Sequence, residues 1–189
     1  MAIKFKNQLK GKRLTLKRTK PSLKMAKIMF KVIDENRKHL EPWFPWPKLT
    51  LKVEDSLKYL FDKEEETEKG KKIEYGIYIN NEYIGNISIF DIHDKNKSAE
   101  IGYWLSSAHT RNGYMTEALK ILEKEAFERL KLNRLQIKID EKNKASLGLA
   151  KKCGYTCEGK YREDSFSEYF NEFVNSVVYS KLRSEYKKR

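Results

Sequence analysis

The chain has 189 residues, and 39% of them are apolar, which fits one domain spanning 1–189 and excludes a disordered chain. No stretch approaches the ~18 apolar residues of a membrane span, and the start Met1-Ala2-Ile3-Lys4-Phe5 lacks the long apolar run and small-residue cleavage site of a secretory signal. The net charge of +13 suits nucleic acid, the ribosome or an anionic cofactor, but its lysines are scattered among Glu and Asp without the aromatic-basic pattern of an RNA-binding sheet, so direct nucleic-acid binding is not expected.

In chain order, Leu14, Leu16 and Arg18 predict a first strand. Residues 22–38 carry Met25, Met29 and Val32 at helical spacing. The run Glu41-Pro42-Trp43-Phe44-Pro45-Trp46-Pro47 cannot lie inside a helix and must be a loop. Val53, Leu57, Leu60 and Phe61 mark a second helix that ends in the acidic run from Glu64 to Glu66. The period then changes to two. Ile73, Tyr75, Ile77 and Ile79 alternate, Asn80-Asn81 turns, 83–90 returns, and Asp94-Lys95-Asn96 turns again into 98–105. A long helix is expected over 114–131, with Met115, Ala118, Leu119, Leu122, Ala126 and Leu130 on one face and Glu117, Lys120, Lys124 and Glu128 on the other. A strand over 134–139, a short helix over 145–153 stopped by Gly154, and a hairpin of 155–166 with 172–181 complete the chain. The order β-α-α-β-β-β-α-β-α-β-β is that of an α+β fold, a mixed α/β sheet. Cys153 and Cys157 have no CxxC spacing and no histidine pattern, so no metal site is expected, and both read as reduced thiols of a cytoplasmic protein.

Between Trp104-Leu105 and the long helix lies Thr110-Arg111-Asn112-Gly113-Tyr114-Met115-Thr116. The first amides of a helix have no internal partner, and the helix dipole adds positive potential there. Such a helix start accepts a phosphate or pyrophosphate. Gly113 lets the anion approach the backbone, and Arg111 can add a charged contact. Taken alone, this strand–glycine–helix passage equally fits a plain loop. Neither GxGxxG nor a P-loop is present, which disfavours a Rossmann cofactor and a nucleoside triphosphate.

One strand later comes Asn143-Lys-Ala-Ser146, followed by Gly154-Tyr155-x-x-Glu158-Gly159. With Glu100-Ile101-Gly102-Tyr103-Trp104, Gly113 to Leu119, Leu132-Asn133-Arg134 and the proline loop, the chain resembles the GNAT N-acetyltransferase superfamily over about residues 10–185. It looks closest to the ribosomal-protein N-terminal acetyltransferases, the RimJ/RimL-like subgroup. The resemblance implies a mixed sheet of about seven strands splayed at a CoA site and flanked by about four helices. It implies acetyl-CoA as cosubstrate, held by Trp104, Leu105, Arg111, Asn112, Gly113, Tyr114, Met115, Thr116, Asn143 and Ser146. It implies direct attack by a primary amine, most simply a protein N-terminal α-amine, and a homodimer only by analogy. A carboxylate base is needed, and Glu100 is the first candidate, with Glu74 and Glu41 behind it. The bland reading of Glu100 is a structural pairing with lysine; that of Asn143 is a helix cap. The superfamily places a tyrosine where this chain has Ala150, so Ser146 is the candidate for protonating the thiolate. Thr110 and Met115 also depart from the usual pyrophosphate motif. Trp43, Trp46 and Glu41 either line the acceptor pocket or, for the aromatics, pack the proline loop onto the core. Two alternatives stay open: an acetyltransferase of small amines (polyamine, amino acid or aminoglycoside), and a non-catalytic basic module binding RNA or the ribosome.

Overall fold

The computed structural model describes residues 5–186; of the five residues read for a secretory signal, 1–4 lie outside the described residues. The elements are β1 (Gln8–Lys10), β2 (Thr15–Arg18), α1 (Leu23–Glu35), α2 (Arg37–Leu40), α3 (Trp46–Leu49), α4 (Val53–Glu68), β3 (Ile73–Ile79), β4 (Glu82–His93), β5 (Ser98–Leu105), a 3₁₀ turn (Ser107–His109), α5 (Tyr114–Lys124), a π-helical turn (Glu125–Arg129), β6 (Arg134–Asp140), α6 (Lys144–Lys152), β7 (Thr156–Ser167), β8 (Glu172–Leu182) and α7 (Arg183–Tyr186). They form one sheet of eight strands in the order β1-β2-β3-β4-β5-β6-β8-β7. All neighbours run antiparallel except β5 and β6. The expected α+β mixed sheet is present, with β1 as a strand too short to show a period. Among the described residues four helices exceed two turns; α2, α3 and α7 are single turns of four residues.

Local chemistry sets the boundaries. Ser22 caps α1 by accepting from Met25 N at 3.1 Å, as N-cap hydroxyls do. Asn80 and Asn81 both take positive φ, 49° and 66°, in the hairpin turn between β3 and β4. The helix expected over 114–131 ends as an α-helix at Lys124 and widens into the π turn. This lets two consecutive residues, Ala126 and Phe127, both face the core.

The alternation of β5 divides its side chains between the two faces of the sheet. Ala99, Ile101, Tyr103 and Leu105 face the larger core, which Ala118, Leu119, Leu122 and Phe127 close from above. Glu100, Gly102 and Trp104 therefore face the other side, where Met25, Met29, Ile33, Leu60 and Tyr83 pack. Phe61, expected in the stripe of α4, is 58% exposed. Lys63 takes an inward place instead, because it has polar partners there.

Candidate active site

Strands β5 and β6 share only three register pairs, and the last joins Glu100 to Gln136. Beyond it β5 runs on to Leu105 and β6 to Asp140, so the two strands part as a V. Within the opening each strand has lost its partner on one side. A ligand with amide groups can replace that partner, as an added strand would.

The loop at the head of the V is built from the residues singled out in the sequence. Gly113 takes φ 76° at the N-cap of α5 and offers no side-chain cap to the first-turn amides of Tyr114, Met115 and Thr116. The space where its Cβ would stand is open to an approaching group, the nearest atom being Arg13 Nη2 at 3.5 Å. Arg111 is exposed, with φ 61°. Thr110 closes the 3₁₀ turn, its Oγ1 donating to Ser107 O at 2.8 Å. Two residues missed by sequence reasoning fix this loop. Arg13 donates from Nη1 to Asn112 O at 3.0 Å, holds Glu117 through Nε at 2.8 Å and lies over the Tyr114 ring. Asn36 accepts from both Ser107 N (2.8 Å) and Ser107 Oγ (2.9 Å). Neither has a local signature, because each partner lies at least 71 residues away.

Glu100 stands half-buried at the apex of the V. Its one side-chain hydrogen bond is long: Gln136 Nε2 donates to Oε2 at 3.4 Å. Burial, reinforced by Asp91, raises its pKa against the opposing pull of Lys138. Among the described residues no lysine ion pair holds it, contrary to the structural reading, and the nearby Lys138 pairs with Asp164 instead. Glu74 is a different kind of group. Tyr59 Oη (2.5 Å), Asn86 Nδ2 (2.8 Å) and Thr19 Oγ1 (3.3 Å) donate to it, and Lys63 Nζ lies 3.7 Å away. Its oxygens are committed to this network, which makes it structural. Glu41 sits in the turn after α2, half-buried.

On the other face of β5, Ser146 Oγ meets Tyr103 Oη at 2.6 Å. Burial pushes the Tyr103 phenol up to about 12. Tyr103 was read from the sequence as part of the Glu100–Trp104 motif, without a partner on α6. Its signal was the alternation against Trp104, which turns it to the face where α6 packs. Asn143 caps that helix, accepting from Ser146 N at 3.0 Å. Ala150 is fully buried, so the position of the absent tyrosine is part of the core.

The proline-loop aromatics divide. Trp46 packs on Trp104 with ring centroids 5.8 Å apart, and Trp104 also meets Tyr83 at 6.0 Å. Trp43 instead reaches Phe170 at the β7–β8 turn, 6.2 Å away. Trp46 thus borders the V and the core at once, while Trp43 bridges two surface loops. Among the described residues no group of His, Cys, Asp and Glu is arranged to hold a metal, and no helix is long and apolar enough to cross a membrane.

The chain is similar to known proteins in sequence and in fold. The ribosomal-protein-serine acetyltransferase of Escherichia coli K12 is 29% identical over 158 residues, covering 83% of this chain and 87% of that protein. RimL, a ribosomal L7/L12 α-N-protein acetyltransferase solved with coenzyme A, superposes with a TM-score of 0.88 at 22% identity, over 94% of this chain and 99% of that one. The microcin C7 self-immunity acetyltransferase MccE, solved with acetyl-CoA and AMP, superposes with a TM-score of 0.84 at 26% identity, over 90% and 92% of the two chains. Residues 13–156 match the acetyltransferase (GNAT) domain model. The chain belongs to the GNAT acetyltransferase family, and it is an acyltransferase.

Proposed function

We propose that the protein transfers acetyl from acetyl-CoA to a protein N-terminal α-amine of the ribosomal-protein type. The observation that carries this reading is the V between β5 and β6, with Glu100 on one face of its rim and the Ser146–Tyr103 pair on the other. The pantetheine arm lies in the V, and the pyrophosphate meets the amides that follow Gly113. The acceptor amine arrives from the face bearing Glu100, Trp104 and Trp46. Glu100 takes a proton from the ammonium, directly or through one water, and its raised pKa suits that task. The freed amine forms the N–C bond as the C–S bond breaks. Ser146 gives its hydroxyl proton to the departing sulfur and recovers, through water, the second proton that the nitrogen sheds as the amide forms. Tyr103, whose Oη lies 2.6 Å from Ser146 Oγ, orients that hydroxyl. Asn143, by capping α6, sets the height of Ser146. Trp43 and Glu41 border the acceptor entrance.

The E. coli ribosomal-protein-serine acetyltransferase supports a protein terminus as acceptor. MccE, solved with AMP beside acetyl-CoA, supports a second reading, an amine on a small molecule. The two separate in one assay. Labelled acetyl-CoA is incubated with peptides copying ribosomal-protein N-termini, with the same peptides blocked at the α-amine, and with polyamines, amino acids and aminoglycosides. Label on the free peptides and none on the blocked ones is expected. Label confined to the small amines overturns the peptide reading.

A further inference from the structure

Strand β4 carries one residue too many on its way past Glu100. Phe90 pairs with Glu100 and His93 with Ser98, so Asp91 and Ile92 together stand opposite Ala99. Two residues against one make a β-bulge, a device that re-aims a side chain and is frequent beside active sites. The faces show which residue is extra. Ile87 and Ile89 lie in the larger core, and strict alternation would send residue 91 there next and residue 92 to the acceptor side. Ile92 lies in that core instead. Phe90 leans over Gly102 on the acceptor side, its Cε1 3.1 Å from where a Cβ on Gly102 would stand. The bulge therefore turns Asp91 off the core face and sets it beside Phe90 and Glu100. Asp91 takes φ 48°, a left-handed conformation that Asp and Asn tolerate better than most side chains.

Asp91 is exposed, and among the described residues its carboxylate has no hydrogen bond or ion pair. It stands close enough to Glu100 that, after burial, its charge is the next influence raising the Glu100 pKa. Strand β6 faces the same place with Gln136, which donates to Glu100, and with Lys138, whose ammonium is taken by Asp164 of β7. Of these groups the two carboxylates remain without a cation. We propose that Asp91 is a second acceptor-side carboxylate, which holds the incoming ammonium beside Glu100 until Glu100 takes its proton. The inference rests on the reading of Glu100 as the base. The attraction acts on the charged amine, so it ends when the proton leaves and the neutral amine is free to reach the thioester. A contact of this kind belongs to the ground state and shows in the acceptor KM more than in kcat.

Steady-state kinetics of the full chain test this, with a free peptide copying a ribosomal-protein N-terminus or with the small amine that takes label in its place. Asp91→Asn keeps the side-chain size and the left-handed backbone; Asp91→Gly keeps the bulge without any side chain. Both should raise the acceptor KM by about fivefold at low salt, with kcat much less affected. The rise should shrink as salt is added. Removing a like charge favours the ionised form of Glu100, so the lower limb of the kcat/KM profile should move downward by a few tenths of a pH unit, roughly. A wild-type KM in Asp91→Asn overturns the inference, as does a lower limb that stays in place or moves upward. If Glu100→Gln is inactive while Asp91→Asn is silent, the inference alone fails and the base reading stands. A fully active Glu100→Gln removes the base reading, and the inference with it.

Discussion

The two faces of the sheet are built on different principles. Beneath α5 and α6 the contact is apolar: Ile77, Ile87, Ile101, Leu135 and Ile137 meet Leu119, Leu122 and Phe127, with one buried ion pair, Glu123–Lys181, near the end of α5. Beneath α1 and α4 a smaller apolar cluster shares its space with a buried polar chain. Lys63 Nζ donates to Thr19 O at 2.5 Å, Thr19 Oγ1 and Asn86 Nδ2 donate to Glu74, and Tyr83 Oη donates to Asn86 Oδ1 at 2.7 Å. Burial lowers the Lys63 pKa even beside Glu74. The first face positions the V and its loop through backbone geometry. The second places ionisable groups at low dielectric, and there the number of partners separates structural carboxylates from available ones. Glu74 has several short contacts; Glu100 has one long one.

The largest effect should come from breaking the ion pair on the apolar face. Lys181 Nζ donates to Glu123 Oε1 and to Cys153 O, both at 2.6 Å, tying β8 to α5 and α6. Glu123→Ala leaves a buried ammonium without its counter-charge and should cost about 3–5 kcal/mol. Urea unfolding measures it. The double variant Glu123→Met/Lys181→Met should recover most of that loss. If Glu123→Ala unfolds within about 1 kcal/mol of the wild type, the pair is no keystone and the two faces differ less than described.

Glu100→Gln comes next. Removing a general base should lower kcat/KM by about 10²-fold or more, with CoA affinity by calorimetry unchanged. The pH profile carries the sign. A carboxyl whose pKa is raised must still lose its proton to act, so the rate should fall as pH drops through a value above the ordinary glutamate range. The acceptor amine adds its own limb near pH 8. Glu100→Gln should erase the lower limb and keep the upper one. An unchanged lower limb assigns it to another group.

Gly113→Ala should act on the cofactor side. Gly113 sits at φ 76°, where an L-residue costs about 1–2 kcal/mol. The nearest atom to the added Cβ is 3.5 Å away, so the methyl does not clash within the protein. It points where the anion is proposed to come. CoA affinity should fall by roughly tenfold, with a smaller change in stability. A loss of stability with affinity intact would place the anion elsewhere.

The cofactor side was the more legible in sequence for a physical reason. Its signals are local: Gly113 opening an amphipathic helix, Asn143 capping another, and Asn80-Asn81 turning a hairpin. Each is decided by residues within a few positions. What escaped depends on contacts between distant segments, such as Asn36 with Ser107 and Arg13 with Glu117 behind the cofactor loop or Trp43 with Phe170 at the acceptor entrance, and no period reports those. Buried charges escape it for the same reason. Glu123 and Lys63 look like solvent-facing residues until a partner 58 or 44 positions away admits them to the core. The π turn that ends α5 early has no signature in hydrophobic spacing either.

The smallest expected effect reaches Glu100 through a relay of surface hydrogen bonds. Arg134 Nη1 donates to Glu158 Oε1 at 2.5 Å, and Arg134 Nη2 donates to Gln136 Oε1 at 3.1 Å. Gln136 then has its Nε2 turned toward Glu100. The Arg134 guanidinium, with help from Ser180, holds the Glu158 carboxyl at about 2. Its folded pKa lies below the unfolded value, so its stabilising contribution is present above the ordinary glutamate range and disappears as pH falls toward about 2. The Glu158 side chain is 40% exposed, and solvent screening keeps that contribution under about 1 kcal/mol. Glu158→Gln should therefore barely change the urea midpoint at neutral pH. It should free Arg134, loosen the orientation of Gln136 and move the lower limb of the kcat/KM profile upward by a few tenths of a pH unit, on the order of 0.4 kcal/mol. The shift is upward because Gln136 donates to the ionised form of Glu100, and weakening that bond favours the protonated form. A profile that moves downward, or a large loss of stability with the limb in place, would show that Glu158 acts on the sheet and not on the base.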